Sequence, residues 1–103
     1  MKYNKPNRKR LTQVFELGEI VAIGEINDIW DEEVELFQPI FAMVLHKFSS
    51  GKWGKVDAKT AWKNDMNLKS GEGRLVGLYE TQFGTIEIIN TWNRERTELR
   101  MHQ

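Results

Sequence analysis

The sequence predicts an α+β fold in the order β-α-α-β-β-β, with about four antiparallel strands in one sheet and two or three helices packed on one face. Three observations favour this fold. An apolar, β-branched run occupies residues 14–26, helical apolar spacing follows in residues 27–69, and alternating strand patterns separated by turn residues fill residues 74–102. Helical segments followed by consecutive strands are typical of α+β proteins.

The composition is that of one ordinary domain with an uncharged balance. Of 103 residues, 40% are hydrophobic and 29% are charged, and the net charge is zero. We assign residues 12–103 to one α+β domain and residues 1–11 to a flexible basic N-terminal arm. The zero net charge argues against a generic nucleic-acid binder, which is basic, and against a DNA mimic, which is acidic.

The chain has no cysteine. This excludes disulfides, thiol catalysis and thiolate metal sites, and it fits a reducing compartment. Residues 1–10 lack the apolar run of a signal peptide, and no stretch approaches the roughly 20 apolar residues of a membrane span. We therefore expect a cytoplasmic protein with no membrane association.

The first strand and the first two helices follow from apolar spacing and from one proline. Residues 14–26 predict a strand, and Asn27 or Asp28 is suited to cap the helix after it. Because proline in a helix interior costs about 3 kcal/mol, we expect a break just before Pro39 and a second helix that begins there. Gly51 is placed as the C-terminal cap of this second helix.

A turn and a third helix come next. The two glycines of Gly51-Lys-Trp53-Gly54 suggest positive φ angles, with the Trp53 indole laid over the core. Asp57 is suited to cap a helix from Ala58 to about Lys69. On that helix Trp62 and Met66, at i and i+4, predict the buried side. The exposed side would then carry lysines at positions 55, 59 and 63.

The C-terminal third predicts a meander of three strands. Residues 74–81 alternate, Gly84 suits a left-handed position in the hairpin loop, and residues 85–91 return as the partner strand. Residues 97–102 predict a last, edge-like strand whose alternating charges deter edge-to-edge pairing. We expect the first strand to join this meander.

Several of these residues form a pattern: His46, Gly51-Lys-Trp53-Gly54, Asp57, Asn64, Leu68, Gly73-Arg74, Tyr79, Thr81, Gly84-Thr85, Thr91 and Arg94. Through it, residues 16–97 resemble a family of small proteins carried on bacterial plasmids and integrative elements, often labelled only "plasmid-related protein". The chain departs from the family at Lys52, where an acid is usual, at Trp92-Asn93 and at its C-terminal Leu99-Arg-Met. The resemblance implies a mobile-element accessory protein and brings no established activity.

Four polar residues of this pattern are the candidate catalytic or ligand-binding groups. His46 could favour the helix dipole at its C-terminus, or act as a general base paired with Asp57 or Asn64. Asn64 could satisfy the backbone of the Trp53–Gly54 turn or bind a ligand. The other two candidates are Arg74 and Tyr79.

Arg74 could pair with Asp57, Asp65 or Glu72, or bind a phosphate or carboxylate. Tyr79 lies on the strand face of Gly77, where the vacant space would be filled by a neighbouring aromatic or by a ligand. A structural role is the interpretation for Gly51, Trp53, Gly54, Asp57, Gly73 and Gly84.

No catalytic, phosphate-binding or metal-binding signature appears in the sequence. The two histidines are 56 positions apart and lack the spacing of a metal site. We therefore expect no metal and no cofactor.

Three functions remain open. The first is a non-catalytic binding module for a protein or protein–nucleic-acid complex, with Trp30 and Trp92 as the tryptophans least needed for the core. The second is a weak nucleic-acid binder that uses the basic arm and Lys52, Lys55, Lys59 and Lys63. The third is a small ribonuclease or toxin-like enzyme that uses His46, Asn64, Arg74 and Tyr79. The oligomeric state stays open.

Overall fold

The computed structural model describes residues 13–102, so the predicted arm at residues 1–11 lies outside the described residues. The described part contains three helices and four strands. Their bounds are β1 Glu19–Ala22, α1 Glu25–Glu32, α2 Val34–Ser49, α3 Ala58–Ser70, β2 Leu75–Thr81, β3 Gly84–Asn90 and β4 Arg96–Met101. This order confirms the predicted α+β fold, with three helices between the first strand and the meander.

The four strands form one sheet in the order β1-β4-β3-β2. The meander β2-β3-β4 is antiparallel, as predicted. However, β1 pairs with β4 in parallel, with Glu19 opposite Arg96, so the sheet is mixed. The prediction that the last strand lies at the edge is therefore wrong. Its alternating charges instead lie on the open face of the sheet, where Arg100 pairs with Glu98 at 3.0 Å.

The core lies between the sheet and the helices. Alternate residues of β2 and β3 face it, including Leu75, Ile86 and Ile88, and α2 contributes the fully buried Phe37 and Phe41. The aromatic rings of this layer meet mainly edge to face, the arrangement that their charge distribution favours.

The boundaries around the first two helices differ from the prediction. β1 is only four residues long, and α1 begins at Glu25 directly after Gly24. Neither Asn27 nor Asp28 caps α1, because Gly24 holds the cap position with φ 64°. The Asn27 side chain instead donates a hydrogen bond to the Ala22 carbonyl at 3.0 Å.

The break between α1 and α2 falls at Glu33, and Pro39 lies inside α2. The predicted break at Pro39 is therefore wrong. Phe37 and Phe41 flank the proline and are fully buried. Burying a side chain of this kind contributes about 1.5–3 kcal/mol, so the two together match or exceed a proline cost of about 3 kcal/mol.

The end of α2 agrees with the prediction. Gly51 has φ 83°, and its N–H donates to the Phe48 carbonyl at 3.0 Å. The Lys52 N–H reaches back to the Lys47 carbonyl at 2.9 Å. This pair of bonds is a Schellman motif, which requires the left-handed residue that glycine supplies.

Candidate functional site

Several of the pattern residues act at the outer edge of β2. Every second residue of an edge strand points its N–H and C=O away from the sheet. At Leu78 these groups pair with the turn that contains Trp53 and Gly54. The Leu78 N–H donates to the Trp53 carbonyl at 3.0 Å, and the Leu78 carbonyl accepts from the Lys55 N–H at 2.8 Å. The turn thus covers the centre of the edge.

Asn64 and Asn67 cover the N-terminal part of this edge. The Asn64 amide donates to the Val76 carbonyl at 2.7 Å, and its side-chain oxygen accepts from the Val76 N–H at 3.0 Å. The Asn67 amide donates to the Arg74 carbonyl at 2.9 Å. Asn64 is only 1% exposed, and its side-chain amide bonds Val76 as a peptide group of a neighbouring strand would. The prediction that it satisfies the Trp53–Gly54 turn is wrong, because β2 already pairs with that turn.

Trp53 and Gly54 have structural roles in this arrangement. The Trp53 ring is buried, and its indole N–H donates to Asp65 Oδ1 at 3.0 Å. Gly54 has φ 77°, and a Cβ there would lie 1.9 Å from the Leu78 carbonyl oxygen. Only glycine allows the turn to approach the strand this closely.

The four candidate catalytic residues differ in exposure. His46 and Arg74 are exposed, whereas Asn64 and Tyr79 are buried. The Tyr79 hydroxyl donates to the Lys52 carbonyl, and burial raises the pKa of this phenol. Two of the four side chains are thus committed to backbone partners.

The space over Gly77 is filled. A Cβ at Gly77 would lie 2.8 Å from the rings of both Phe48 and Tyr79. The neighbouring-aromatic interpretation is therefore correct, and no room for a ligand is left at this position of β2.

Two of the three predicted acid partners of Arg74 bond other groups. Within residues 13–102, no ion pair joins Arg74 to Asp57, Asp65 or Glu72. Asp57 caps α3 as predicted, since its carboxylate accepts the Thr60 N–H at 2.7 Å. That hydrogen bond lowers the pKa of Asp57. Asp65 accepts from the Trp53 indole.

Arg94 is a structural residue that the sequence indicated only as a member of the pattern. It has φ 64°, the only positive value among the non-glycine residues 13–102. Its guanidinium donates to the carbonyls of Gly73, Thr91 and Asn67. These bonds tie the β3–β4 turn to the C-terminal end of α3.

The prediction that Trp62 and Met66 form the buried side of α3 is wrong, whereas Lys59 and Lys63 are exposed as predicted. Trp62 is 63% exposed and Met66 is 49% exposed, although both were expected in the core. The physical reason is that α3 packs against peptide groups at a strand edge, which need polar partners such as Asn64. The apolar pair is therefore left on the opposite side of the helix.

Three lysines surround this exposed pair. Helical spacing puts Lys59, Lys63 and Lys69 on the same side of α3 as Trp62 and Met66, and all three are exposed. We define these five residues as the α3 outer face. Lys55 is not part of it, because Lys55 pairs with Glu80 at 2.6 Å, which raises the pKa of Lys55.

The other candidate tryptophans differ from one another. Trp30 is half-buried and packs edge to face on Phe37 and Phe41, so the expectation that it is one of the two tryptophans least needed for the core is wrong. Trp92 is 64% exposed in the β3–β4 turn. It lines an open cleft of about 400 Å³ together with Glu19, Thr91, Asn93, Glu95 and Arg96.

Residues 13–102 contain neither a candidate metal centre nor a candidate membrane span. No group of three or more His, Cys, Asp or Glu side chains in this range is placed to hold a metal ion. No helix in the same range is long and apolar enough to cross a membrane.

Comparison of the chain with protein-family models, with curated proteins and with solved structures found no match. The resemblance to plasmid-related proteins therefore stays a prediction. Any inference about function has to start from the side chains described above.

Proposed function

We propose that this protein is a non-catalytic binding module that contacts a partner protein through the α3 outer face. The observation that carries the proposal is the exposure of Trp62 and Met66, one helical turn apart, at 63% and 49%. Tryptophan is enriched at the energetic centres of protein interfaces. Covering about 200 Å² of apolar surface on this pair would contribute about 5 kcal/mol before the costs of association.

The α3 outer face is held rigidly. Asp57 caps the start of α3, and Gly71 ends it with φ 87°. Between these ends Asn64 bonds β2, and Asp65 bonds the Trp53 indole. A preorganised face loses little conformational entropy on binding, which favours recognition of another folded surface.

A protein partner fits this face better than a nucleic acid does. Binding of single strands relies on several stacking aromatics along a basic groove. The α3 outer face has one aromatic side chain, Trp62, on the convex surface of a helix, and the chain as a whole has no net charge. The nucleic-acid alternative would depend on the N-terminal arm, outside the described residues.

The enzyme alternative has less support. Two of its four residues are exposed, and the other two are buried and bond backbone groups.

The family resemblance supports a mobile-element accessory role in the bacterial cytoplasm. We keep that context as part of the proposal.

Photo-crosslinking in living cells tests the proposed surface. Benzoylphenylalanine is incorporated in place of Trp62, of Trp92 or of Gln82, which is an exposed control in the β2–β3 hairpin. We expect discrete protein adducts from position 62 and none from position 82. Reversing charge with Lys59→Glu and Lys63→Glu should remove the adducts.

Two results would overturn the proposal. Adducts that form from position 92 and not from position 62 would move the binding surface to the β3–β4 turn. Crosslinking of position 62 to RNA instead of protein would favour the nucleic-acid alternative.

A further inference from the structure

A second exposed apolar patch lies on α2. Leu36 is 57% exposed and Met43 is 45% exposed, and Ile40 is half-buried between them. Spacings of four and seven residues put these three on one side of the helix. Exposed acids surround the Leu36 end at positions 32, 33 and 35. We define the α2 patch as Glu32, Glu33, Glu35, Leu36, Ile40 and Met43.

The α2 patch and the α3 outer face carry opposite charge. Residues 19–35 contain seven acids and no Lys or Arg, whereas residues 46–74 contain seven Lys or Arg against three acids. All seven acids are exposed. The zero net charge of the chain is therefore the sum of two separated regions of opposite sign.

We propose that the partner of the α3 outer face is the α2 patch of a second copy of this chain. This inference rests on the proposed binding surface and names its occupant. Trp62 and Met66 of one copy pack on Leu36 and Met43 of the next. Lys59 and Lys63 then face Glu32 and Glu35 across the contact.

The α2 patch also borders a cleft. Met43 lines a cleft of about 240 Å³ between α2 and the end of β2, which could receive a large side chain from a convex helix. Lys47 and Lys55 also line this cleft, and Lys55 is paired there with Glu80. Lys47 lies 12 residues beyond Glu35 on α2, about 18 Å away along the helix. It is therefore distant from the acids that are placed opposite Lys59 and Lys63.

The contact joins two different surfaces, so it is heterologous. Each copy keeps one free α2 patch and one free α3 outer face, and copies therefore add head to tail unless a ring closes. We expect a contact between two such patches to bury less than about 1,200 Å² of accessible surface, which is typical of transient complexes. The expected dissociation constant is therefore about 0.1 mM.

Analytical ultracentrifugation of the purified full chain tests the inference. We expect the weight-average mass to rise with protein concentration at low ionic strength. At about 0.5 M salt the association should weaken at least about fivefold, because exposed ion pairs are screened.

A charge-swap experiment tests the pairing itself. Lys59→Glu with Lys63→Glu should stay monomeric, and so should Glu32→Lys with Glu35→Lys. An equimolar mixture of the two variants should associate again, because reversed charges meet each other. Glu72→Lys with Glu95→Lys is the matched control for Glu32→Lys with Glu35→Lys: it makes the same change in net charge at exposed positions outside both surfaces, and it should associate like the unaltered chain.

The outcomes separate this inference from the proposed function. A chain that stays monomeric at about 1 mM, ten times the expected dissociation constant, would overturn the self-association. If position 62 still crosslinks to a different protein in cells, the α3 outer face remains the binding surface with another occupant. If an unaltered chain associates but the mixture of variants does not, the contact uses other residues and the inference is wrong.

Discussion

Replacing Asn64 with alanine should destabilise the fold more than any other single loss of a side-chain amide on α3. Asn64 is 1% exposed, and its two hydrogen bonds satisfy both the N–H and the C=O of Val76. Leaving a buried polar group without a partner costs about 1–3 kcal/mol. For two such groups at a partly buried edge we expect a loss of about 2–4 kcal/mol, or roughly 10–20 °C in Tm for a domain of this size.

Urea denaturation followed by circular dichroism measures this loss. Asn67→Ala is the matched control, because Asn67 makes one comparable bond to the Arg74 carbonyl at an exposed position. We expect the control to cost about 1 kcal/mol or less, since water can replace an exposed partner. If Asn67→Ala proves as costly as Asn64→Ala, the two hydrogen bonds between Asn64 and Val76 do not stabilise the fold as argued.

The variant Asn64→Asp adds a pH dependence with a defined sign. Its carboxylate could still accept from the Val76 N–H, but it would be buried and would face the Val76 carbonyl, whereas its protonated form could donate to that carbonyl as the amide does. The folded-state pKa of this new carboxyl should therefore rise above its unfolded value of about 3.9. As pH rises from about 3.9 through the folded-state pKa, the variant should lose stability relative to the unaltered chain. At lower pH its free energy of unfolding should approach that of the unaltered chain.

Three further predictions concern backbone fit and titration. Gly54→Ala should abolish cooperative folding because its Cβ would meet Leu78, whereas Gly71→Ala, with open space around its Cβ, should cost only about 1 kcal/mol by thermal unfolding. The raised pKa of Tyr79 means that stability should fall as pH rises above about 10, and Tyr79→Phe should lessen that fall in alkaline denaturation curves. The lowered pKa of Asp57 means that its stabilisation is lost as pH falls below about 4, and Asp57→Asn should reduce this acid-induced loss in Tm.

Local patterns predicted the parts of the fold that local chemistry decides. Residues of β2 and β3 alternate between the core and the open face, so their period of two was readable. The ends of α3 were also readable, because Asp57 and Gly71 are the residues that helix ends require.

Long-range contacts decided the parts that local patterns missed. The parallel pairing of β1 with β4 joins segments far apart in the chain, and no local signal specifies it. At Pro39 the burial of Phe37 and Phe41 offsets the local tendency of proline to break a helix.

The candidate site shows the same distinction. Helical spacing correctly put Trp62 and Met66 on one side of α3. Which side faces inward depends on what α3 packs against, and a strand edge demanded Asn64 rather than an apolar residue. The position of Asn64 opposite Trp62 on the helix was the sequence signal that could have predicted which side of α3 faces solvent.

The central claim is that Trp62 and Met66 are exposed for binding and not for folding. The most direct test is the free energy of unfolding of the variant with both Trp62→Ala and Met66→Ala. We expect it to match the unaltered chain within about 0.5 kcal/mol, as exposed substitutions do. A loss of more than about 2 kcal/mol would show that the pair packs within the folded chain, and it would contradict the assignment of the α3 outer face as a binding surface.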